Sequence, residues 1–240
     1  MTGSNRSRRP GLQGKWRHVV DSLETIIPIY ELGSSRIALF SDLPMRERVA
    51  RFVVRRGSMV LDLGSGPGTM ARIVSRTGGR PVLLDFSRKM LRSAPEFEKV
   101  QSTFEFLPFR ECVFDGVVAG FSLRDSRDLQ SALLEVSRVL SRQGRFAFCD
   151  LGKPTSSAKS LMIALYLRGV VPLIGLLSGG RTGLAFASIY HTYLLTLDNN
   201  SLVELLGRHF HDVAMEATRL GGSIVVSCSG RARTQARADR

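Results

Sequence analysis

Short apolar runs alternate with helix-like segments between residues 58 and 150. Five of these runs have the length of a buried strand, at residues 59–63, 81–85, 104–106, 113–120 and 145–150. Segments with helical spacing of apolar residues lie between them, at residues 70–76, 87–91 and 128–140. Strands that alternate with helices in this way form a parallel sheet with right-handed crossover connections. The pattern therefore predicts a doubly wound α/β core.

The C-terminal part of the chain adds three elements to this core. Residues 199–210 predict a helix, and residues 213–218 and 224–228 predict two strands. Gly221 and Gly222 lie between those strands, so we expect an antiparallel hairpin. The complete prediction is a seven-stranded, mostly parallel sheet with helices on both faces and an antiparallel closing hairpin.

Composition limits the classes of protein that this chain can represent. It has 240 residues, of which 43% are hydrophobic, so it can bury a core and is not wholly disordered. We expect one domain at residues 18–230, with disordered basic tails at residues 1–17 and 231–240. The cysteines, Cys112, Cys149 and Cys228, form no C-x-x-C pair. Their spacing argues against a disulfide framework or a metal site and favours a reducing, cytoplasmic location.

One apolar segment invites comparison with a membrane span. Residues 161–177 are apolar, but Arg168, Gly169, Pro172 and Gly175 interrupt them. A spanning helix needs about 20 apolar residues, so we interpret this segment as a lid or a membrane-surface element. No apolar run follows Met1, and we therefore expect no secretory signal peptide.

The formal net charge is +13, and 29 of the 34 basic residues are arginine. Many of these arginines lie in the two predicted tails, which are commonly solvated arms. Attraction to anionic lipid or to nucleic acid is the alternative. The sequence contains no appended nucleic-acid-binding module, and Trp16 is the only aromatic residue in the tails. Both features disfavour nucleic acid as a partner.

A glycine-rich turn directly follows the first predicted strand. Gly64, Gly66 and Gly68 have the spacing G-x-G-x-G shortly after Asp62. Glycines at this point let a cofactor approach the backbone at the carboxyl end of the sheet. A tight strand-to-helix turn without a ligand is the alternative.

A second acidic residue, Asp85, ends the next predicted strand, 23 residues after Asp62. A carboxylate at this place can accept both hydroxyls of an adenosine ribose, or it can simply cap the following helix. The glycine spacing differs from the G-x-G-x-x-G of dinucleotide folds. We therefore expect S-adenosylmethionine rather than NAD as the cofactor.

The chain resembles a known family in four stretches: VLDLGSGPG, LLDFSRKML, FLPFRECVFDGVVAGFSLRD and LLEVSRVLSRQGRFAFCDLGKP. They are similar to the class I S-adenosylmethionine-dependent methyltransferases, specifically the C-methyltransferases of ubiquinone and menaquinone biosynthesis. The resemblance covers about residues 20–230 and is strongest from 58 to 154. The more specific motifs are FSLRD at 121–125 and DLGKP at 150–154, which resemble the family's F-G-L-R-N and E-F-S-K-P. The resemblance implies a Rossmann-like fold and methylation of a ring carbon of a membrane-soluble quinone precursor, a lipid-like small molecule.

The resemblance also implies a set of cofactor contacts. The glycine turn would line the methionine end, Asp85 would hold the ribose, and Phe86 would flank the adenine. Thr103 and Phe104 stand where the family has a polar and a small residue against the adenine, and Gly120 would touch the cofactor from the opposite side. The expected cofactor-binding residues are Asp62, Gly64, Ser65, Gly66, Gly68, Asp85, Phe86, Thr103, Phe104 and Gly120.

Three residues are candidates for catalysis. Arg124 can stabilise a phenolate or orient a water, and Asp125 can accept a hydrogen bond or a proton. The family usually carries Asn where Asp125 stands, and a local ion pair of Arg124 with Asp125, or of Asp125 with Arg127, is the alternative. His191 is the third candidate because its pKa range suits proton transfer, although a lone histidine is commonly structural.

Residues 155–198 are expected to form a substrate lid, because the family inserts substrate-covering helices at this place. Their apolar content suits an isoprenoid tail, and Arg168 suits peripheral contact with an anionic membrane surface. An ordinary buried helix pair or a homodimer contact is the alternative. The cofactor motifs do not specify the acceptor, so methylation of another lipid or small molecule on O or N stays open. An RNA-binding protein, an RNA methyltransferase and a non-catalytic relative are further alternatives.

Overall fold

A seven-stranded sheet forms the centre of the computed structural model, which describes residues 16–39, 41–218 and 220–231. The strands are β1 (Met59–Leu63), β2 (Arg80–Asp85), β3 (Glu98–Gln101), β4 (Phe114–Gly120), β5 (Leu140–Leu151), β6 (Phe210–Ala217) and β7 (Ser223–Arg231). Their order is β3-β2-β1-β4-β5-β7-β6. The first five strands pair in parallel, and β7 pairs antiparallel with β5 and β6. The predicted fold class is confirmed.

Ten α-helices surround the sheet within the described residues. They are α1 (Trp16–Thr25), α2 (Tyr30–Ile37), α3 (Asp42–Val53), α4 (Thr69–Arg76), α5 (Arg88–Ser93), α6 (Leu129–Val139), α7 (Ser157–Leu165), α8 (Val171–Gly183), α9 (Ser188–Leu195) and α10 (Asn199–Gly207). Polar caps begin several of them. Ser87 accepts a hydrogen bond from the amide of Met90 at the start of α5, and Asp128 accepts one from Gln130 at the start of α6.

Two apolar layers hold the helices against the two faces of the sheet. On one face, Leu133 of α6 and Leu206 of α10 are fully buried against β1 and β5. On the other face, Val49 of α3 and Val74 of α4 are fully buried against Val60 and its neighbours. Strands covered on both faces read as continuous apolar runs, which is why the central strands are visible in the sequence.

The third strand was predicted in the wrong place. It lies at Glu98–Gln101 rather than at residues 104–106. This segment is polar because β3 is an edge strand with exposed ends, so it lacks the apolar pattern of the buried strands. Residues 104–106 form a turn in which the amide of Phe106 donates to the carbonyl of Thr103. The predicted helix at 199–210 also ends earlier, at Gly207, and Phe210 begins β6.

The segment Ser157–Leu195 is inserted between β5 and α10. A π-helical turn at Tyr166–Val170 joins α7 to α8, and the chain reverses at Gly179 and Gly180, where the dihedral angles are not helical. By length and composition alone this segment could cross a membrane: its most apolar window has a mean hydropathy of 1.9, and 22% of that window is buried. The interpretation of the segment as a lid or membrane-surface element stays a prediction.

The inserted segment packs against the N-terminal helices α1 and α2. Ile163, Leu167 and Phe186 are buried in one cluster with Ile26 and Ile37. Close packing supports this arrangement, because a Cβ atom on Gly33 of α2 would lie 2.3 Å from the ring of Phe186. The insertion therefore covers the N-terminal helices from outside.

The observed elements cross both predicted domain boundaries. Helix α1 begins at Trp16, so Trp16 and Arg17 belong to it rather than to a tail, and β7 extends to Arg231. Residues 1–15 and 232–240 of the predicted tails lie outside the described residues.

Candidate functional site

The glycine-rich turn leaves β1 at the carboxyl end of the sheet. The amides of Gly64 and Ser65 both donate to the carbonyl oxygen of Leu84, at 2.8 and 3.0 Å, which ties the turn to β2. Gly64 has a φ of 72°, and a Cβ atom there would lie 2.5 Å from Cβ of Ser122. Gly66 also has a positive φ, of 52°. The turn therefore requires glycine for conformation at two positions and for space at Gly64.

Asp85 lies directly across from this turn at the end of β2. Its Oδ2 accepts a hydrogen bond from the Gly66 amide at 2.9 Å, and its Oδ1 accepts one from the Ser87 amide at 2.8 Å. Burial raises the pKa of Asp85, and these backbone amides oppose that rise. A carboxylate oxygen accepts more than one hydrogen bond, so Asp85 can hold its backbone partners and still receive hydroxyls of a ligand.

A cavity of about 640 Å³ opens between the turn, Asp85 and the N-terminal helices. Its walls are mostly apolar or aromatic, and the rings of Trp16 and Phe86 meet edge to face with centroids 4.2 Å apart. The lining residues are Trp16, Val20, Leu23, Tyr30, Gly64, Gly66, Asp85, Phe86, Ser87, Met90, Thr103, Phe104, Glu105, Phe121, Ser122, Asp125 and Ser126.

Seven of the residues predicted from the sequence line this cavity. They are Gly64, Gly66, Asp85, Phe86, Thr103, Phe104 and Asp125. Ser65 and Gly68 support the turn from behind: the Ser65 carbonyl accepts from the Gly68 amide at 2.9 Å, and Gly68 precedes α4 with a φ of 82°. The Ser65 hydroxyl is buried and has no hydrogen-bond partner among the described residues.

Asp62 and Gly120 lie behind the cavity wall, near the buried Arg46 of α3. A Cβ atom on Gly120 would lie 2.1 Å from an Arg46 nitrogen, and the Arg46 guanidinium sits 5.1 Å above the Phe121 ring. Burial raises the pKa of Asp62 to about 7, and Arg46 opposes the rise. Gly120 thus makes room for Arg46, and the next two residues, Phe121 and Ser122, form the cavity wall.

Asp125 places a carboxylate in the cavity. It belongs to a short 3₁₀ turn, Leu123–Asp125, that follows β4. Its buried Oδ1 has no hydrogen-bond partner among the described residues, but it forms the ion pair with Arg124 that one alternative predicted, with Nε 3.7 Å away. Burial raises the pKa of Asp125 to about 6, Arg124 lowers it, and Asp150 and Asp85 raise it further. A carboxylate that lines the cavity can accept a hydrogen bond or a proton from a ligand.

Arg124 faces a second cavity on the other side of the same turn. Its guanidinium forms a buried ion pair with Asp150 at the end of β5 and donates to the carbonyl of Phe121 at 2.9 Å. Burial alone would lower the pKa of Arg124, but the carboxylates of Asp150 and Asp125 hold it above its usual value. The second cavity is mostly apolar, and Leu195, Thr196 and Leu197 from the end of the insertion help to line it.

The structure does not bring His191 to either cavity. It lies on α9 with an exposed side chain, and its ring is 5.6 Å from that of Tyr190. No residue of the predicted lid at 155–198 lines the 640 Å³ cavity either. The N-terminal helices cover it instead, and the insertion packs on their outer side.

Several lining residues were not singled out from the sequence. Trp16, Val20 and Leu23 come from α1, and Tyr30 begins α2. Their helical spacing is a detectable signal, but it indicates only a buried face. Burial raises the pKa of the Tyr30 phenol while Arg46 and Arg124 lower it, so the phenol stays protonated at neutral pH and can donate a hydrogen bond.

The lining fits S-adenosylmethionine in three respects. The glycine turn leaves backbone accessible where a Cβ atom would intrude, Asp85 offers a carboxylate to ribose hydroxyls, and Phe86 and Phe104 offer apolar surface to an adenine. The chain contains no group of three or more metal-ligating side chains within residues 16–39, 41–218 and 220–231.

The comparisons with known proteins agree with this geometry. A family model described as a methyltransferase domain matches residues 61–148. The chain is 30% identical over 212 residues to the demethylmenaquinone methyltransferase of Thermotoga maritima. The matched region covers 83% of this chain and 90% of the relative. It is also 30% identical over 175 residues to the ubiquinone/menaquinone biosynthesis C-methyltransferase UbiE of Hahella chejuensis, covering 67% and 70% of the two chains.

Solved structures share the fold at lower identity. An S-adenosylmethionine-dependent methyltransferase from Thermotoga maritima superposes with a TM-score of 0.61 at 15% identity, over 88% of this chain and 99% of that one. One from Aquifex aeolicus gives a TM-score of 0.56 at 16% identity, over 84% and 96%. At these identities the likeness concerns the architecture alone.

Proposed function

The chain belongs to the ubiquinone and menaquinone biosynthesis C-methyltransferase family of class I S-adenosylmethionine-dependent methyltransferases, and from this premise we propose that it methylates a ring carbon of a membrane-soluble quinone precursor, such as a demethylmenaquinone. The cofactor and the reaction class follow from family membership. The acceptor is the proposed part. We place the reaction in the cytoplasm.

The acceptor proposal rests on the position of Asp125 in the cavity, taken together with the names of the relatives. Two relatives named demethylmenaquinone methyltransferase match 68% and 83% of this chain. Asp125 lines the same cavity as the glycine turn and Asp85, and its buried Oδ1 has an ion pair with Arg124 but no hydrogen bond among the described residues. Ring methylation needs such an acceptor, because a hydroquinone ring becomes nucleophilic when it loses a hydroxyl proton.

The bound cofactor supplies a sulfonium methyl group that is already electrophilic. The protein must therefore orient the acceptor and exclude water. Trp16, Leu23 and Phe86 provide apolar walls, and Tyr30 can donate a hydrogen bond to an acceptor oxygen. Asp125 accepts the hydroxyl proton. The ring carbon then bonds to the methyl carbon as the sulfur–methyl bond breaks, and the ring proton passes to water when the product regains its aromatic ring.

Arg124 has a positioning role in this proposal. Its ion pair with Asp150 and its hydrogen bond to the Phe121 carbonyl hold the turn that carries Asp125. The same positive charge opposes the rise in the pKa of Asp125 and keeps this carboxylate able to accept a proton near neutral pH. Direct contact of Arg124 with a phenolate is not needed.

The test is methyl transfer to a short-tailed demethylmenaquinone with the purified full chain. The quinone is reduced with dithionite, and the product is located by mass spectrometry and NMR. We expect a C-methylated ring with the reduced acceptor and no product with the oxidised acceptor. Asp125→Ala should lose most turnover while calorimetry shows unchanged affinity for S-adenosylmethionine. The matched control is Asp115→Ala, which removes an exposed carboxylate on β4 outside the cavity.

Two results would overturn the acceptor proposal. The first is binding of the cofactor without methylation of the reduced quinone. In that case the chain would be incubated with a cell extract and S-adenosylmethionine labelled in its methyl group, and label in the aqueous phase would indicate a soluble small molecule or RNA as the acceptor. The second is methylation on a hydroxyl oxygen of the reduced quinone, which would assign a different acceptor atom. Full turnover by Asp125→Ala would remove this residue from the reaction.

A further inference from the structure

Exposed apolar side chains form a strip along the outer side of α7 and α8. We define the apolar face as six of these residues: Leu161, Met162, Leu165, Leu173, Leu176 and Leu177. Between 42% and 75% of each residue's surface is exposed. Single exposed leucines are ordinary, whereas six on one side of two consecutive helical segments mark an interaction surface.

The opposite side of the same segment is buried, which fixes the orientation of the apolar face. The buried positions recur every four residues, at Ile163, Leu167, Val171 and Gly175. In an ideal helix of about 3.6 residues per turn, positions four apart would rotate gradually away from one side. The π-helical turn at Tyr166–Val170 has more residues per turn and compensates for this rotation. The six exposed side chains therefore stay on one side from α7 to α8.

The charged side chains of the insertion have a single sign. The sequence contains no acidic residue between Asp150 and Asp198. Lys159 and Arg168 are exposed and, at helical spacing, fall on either side of the apolar face. Arg181 is exposed just beyond the chain reversal at its end. An apolar strip flanked by cations is the pattern of a helix that lies in a lipid interface.

We propose that the apolar face docks onto the surface of an anionic lipid bilayer, with Lys159, Arg168 and Arg181 at the level of the headgroups. The buried side of the segment indicates that the segment lies on the bilayer rather than crossing it. A spanning orientation would remove Ile163, Leu167 and Val171 from their cluster with the N-terminal helices. This docking does not depend on the identity of the methyl acceptor.

A second copy of the chain fits the apolar face less well than lipid does. In a twofold dimer the same patch meets itself, so the cations around both patches would be brought together without an acidic partner. Anionic headgroups meet these cations with the opposite charge, and the leucines enter the acyl boundary.

The test is vesicle co-sedimentation of the full chain with phosphatidylglycerol–phosphatidylcholine mixtures and with pure phosphatidylcholine. Leu165→Glu/Leu173→Glu should lower partitioning into the anionic vesicles about tenfold or more. The matched control is Leu134→Glu, an exposed leucine on α6 outside the apolar face, which should partition like the wild type. Lys159→Gln/Arg168→Gln should lower the preference for anionic vesicles about tenfold, and Arg76→Gln on α4 is its control.

Every variant keeps both Arg-rich tails, so their attraction to lipid is a constant background. Unchanged affinity for S-adenosylmethionine shows that each variant is folded, and this readout is separate from the acceptor test. Equal partitioning of wild type and the double leucine variant would overturn the proposal. Resistance of the membrane-bound chain to alkaline carbonate extraction would also overturn it, because such resistance indicates a membrane span. A third contrary result is a wild type that does not bind vesicles but forms a dimer by light scattering, when the double leucine variant is a monomer.

Discussion

The two walls of the cavity are built by different means. The cofactor wall consists of the glycine turn, Asp85 and Phe86, and backbone amides hold its shape through Leu84 and Asp85. The acceptor wall consists of α1, α2 and the Leu123–Asp125 turn, and buried charged side chains hold that turn. The first wall should thus be sensitive to added side-chain volume, and the second to altered charge.

The largest effect should come from breaking the ion pair of the acceptor wall. Arg124→Met leaves the Asp150 carboxylate buried without its partner, which should lower the free energy of unfolding by about 3–5 kcal/mol in urea titrations. Arg124→Met/Asp150→Asn should recover much of this loss. Arg208→Met is the control, because its pair with Glu204 is exposed and should contribute less than about 1 kcal/mol. Equal losses at both sites would refute the role of burial.

The cofactor wall should respond most to added volume at Gly64. Gly64→Ala combines a positive φ with a Cβ atom 2.5 Å from Ser122, and we expect about a hundredfold loss of affinity for S-adenosylmethionine by calorimetry. Gly57→Ala is the control: Gly57 has a similar φ of 78°, but it lies outside the cavity and has no neighbouring atom within 4 Å, so this variant should keep its cofactor affinity. Comparable affinity loss in the two variants would show that the effect does not come from added volume at the cavity.

Removal of the charge at Asp85 should have a smaller effect on the same wall. Asp85→Asn keeps one oxygen for the backbone amides but weakens acceptance of ribose hydroxyls, so cofactor affinity should fall about tenfold. Asp198→Asn is the matched control, since Asp198 also accepts from two backbone amides and lies outside the cavity. An unchanged affinity of Asp85→Asn would limit Asp85 to holding the two backbone amides.

The smallest expected effect is a change in pH dependence at Asp125. The wild type should lose turnover as pH falls through about 6, because the carboxylate must be deprotonated to accept a proton. The residual turnover of Asp125→Asn should show no such acid limb. Because burial raises the pKa of Asp125, its protonated form stabilises the fold, and that contribution is lost as pH rises through about 6. The free energy of unfolding of Asp125→Asn should thus exceed that of the wild type at pH 8 but not at pH 4. The opposite order would show that the folded protein stabilises the ionised carboxylate instead.

The errors of sequence interpretation have a common cause. Phe104 was assigned to a strand because it is apolar, but it packs against the glycine turn, where a Cβ atom on Gly64 would lie 2.8 Å from its ring. His191 was chosen for its intrinsic pKa range, yet its side chain is exposed on α9. Residue type alone does not show which neighbours a side chain will meet.

The sequence by itself determined the parallel core, the glycine turn and the family, because these depend on short, contiguous patterns: buried strands, positive-φ glycines and strand-end carboxylates. Only the tertiary structure decided that Trp16 and Tyr30 line the cavity, that Asp150 holds Arg124, and that the predicted lid packs outside α1 and α2. The physical reason is separation along the chain. Contacts between distant segments arise from packing of whole elements, and no local pattern of residues specifies which surfaces will meet.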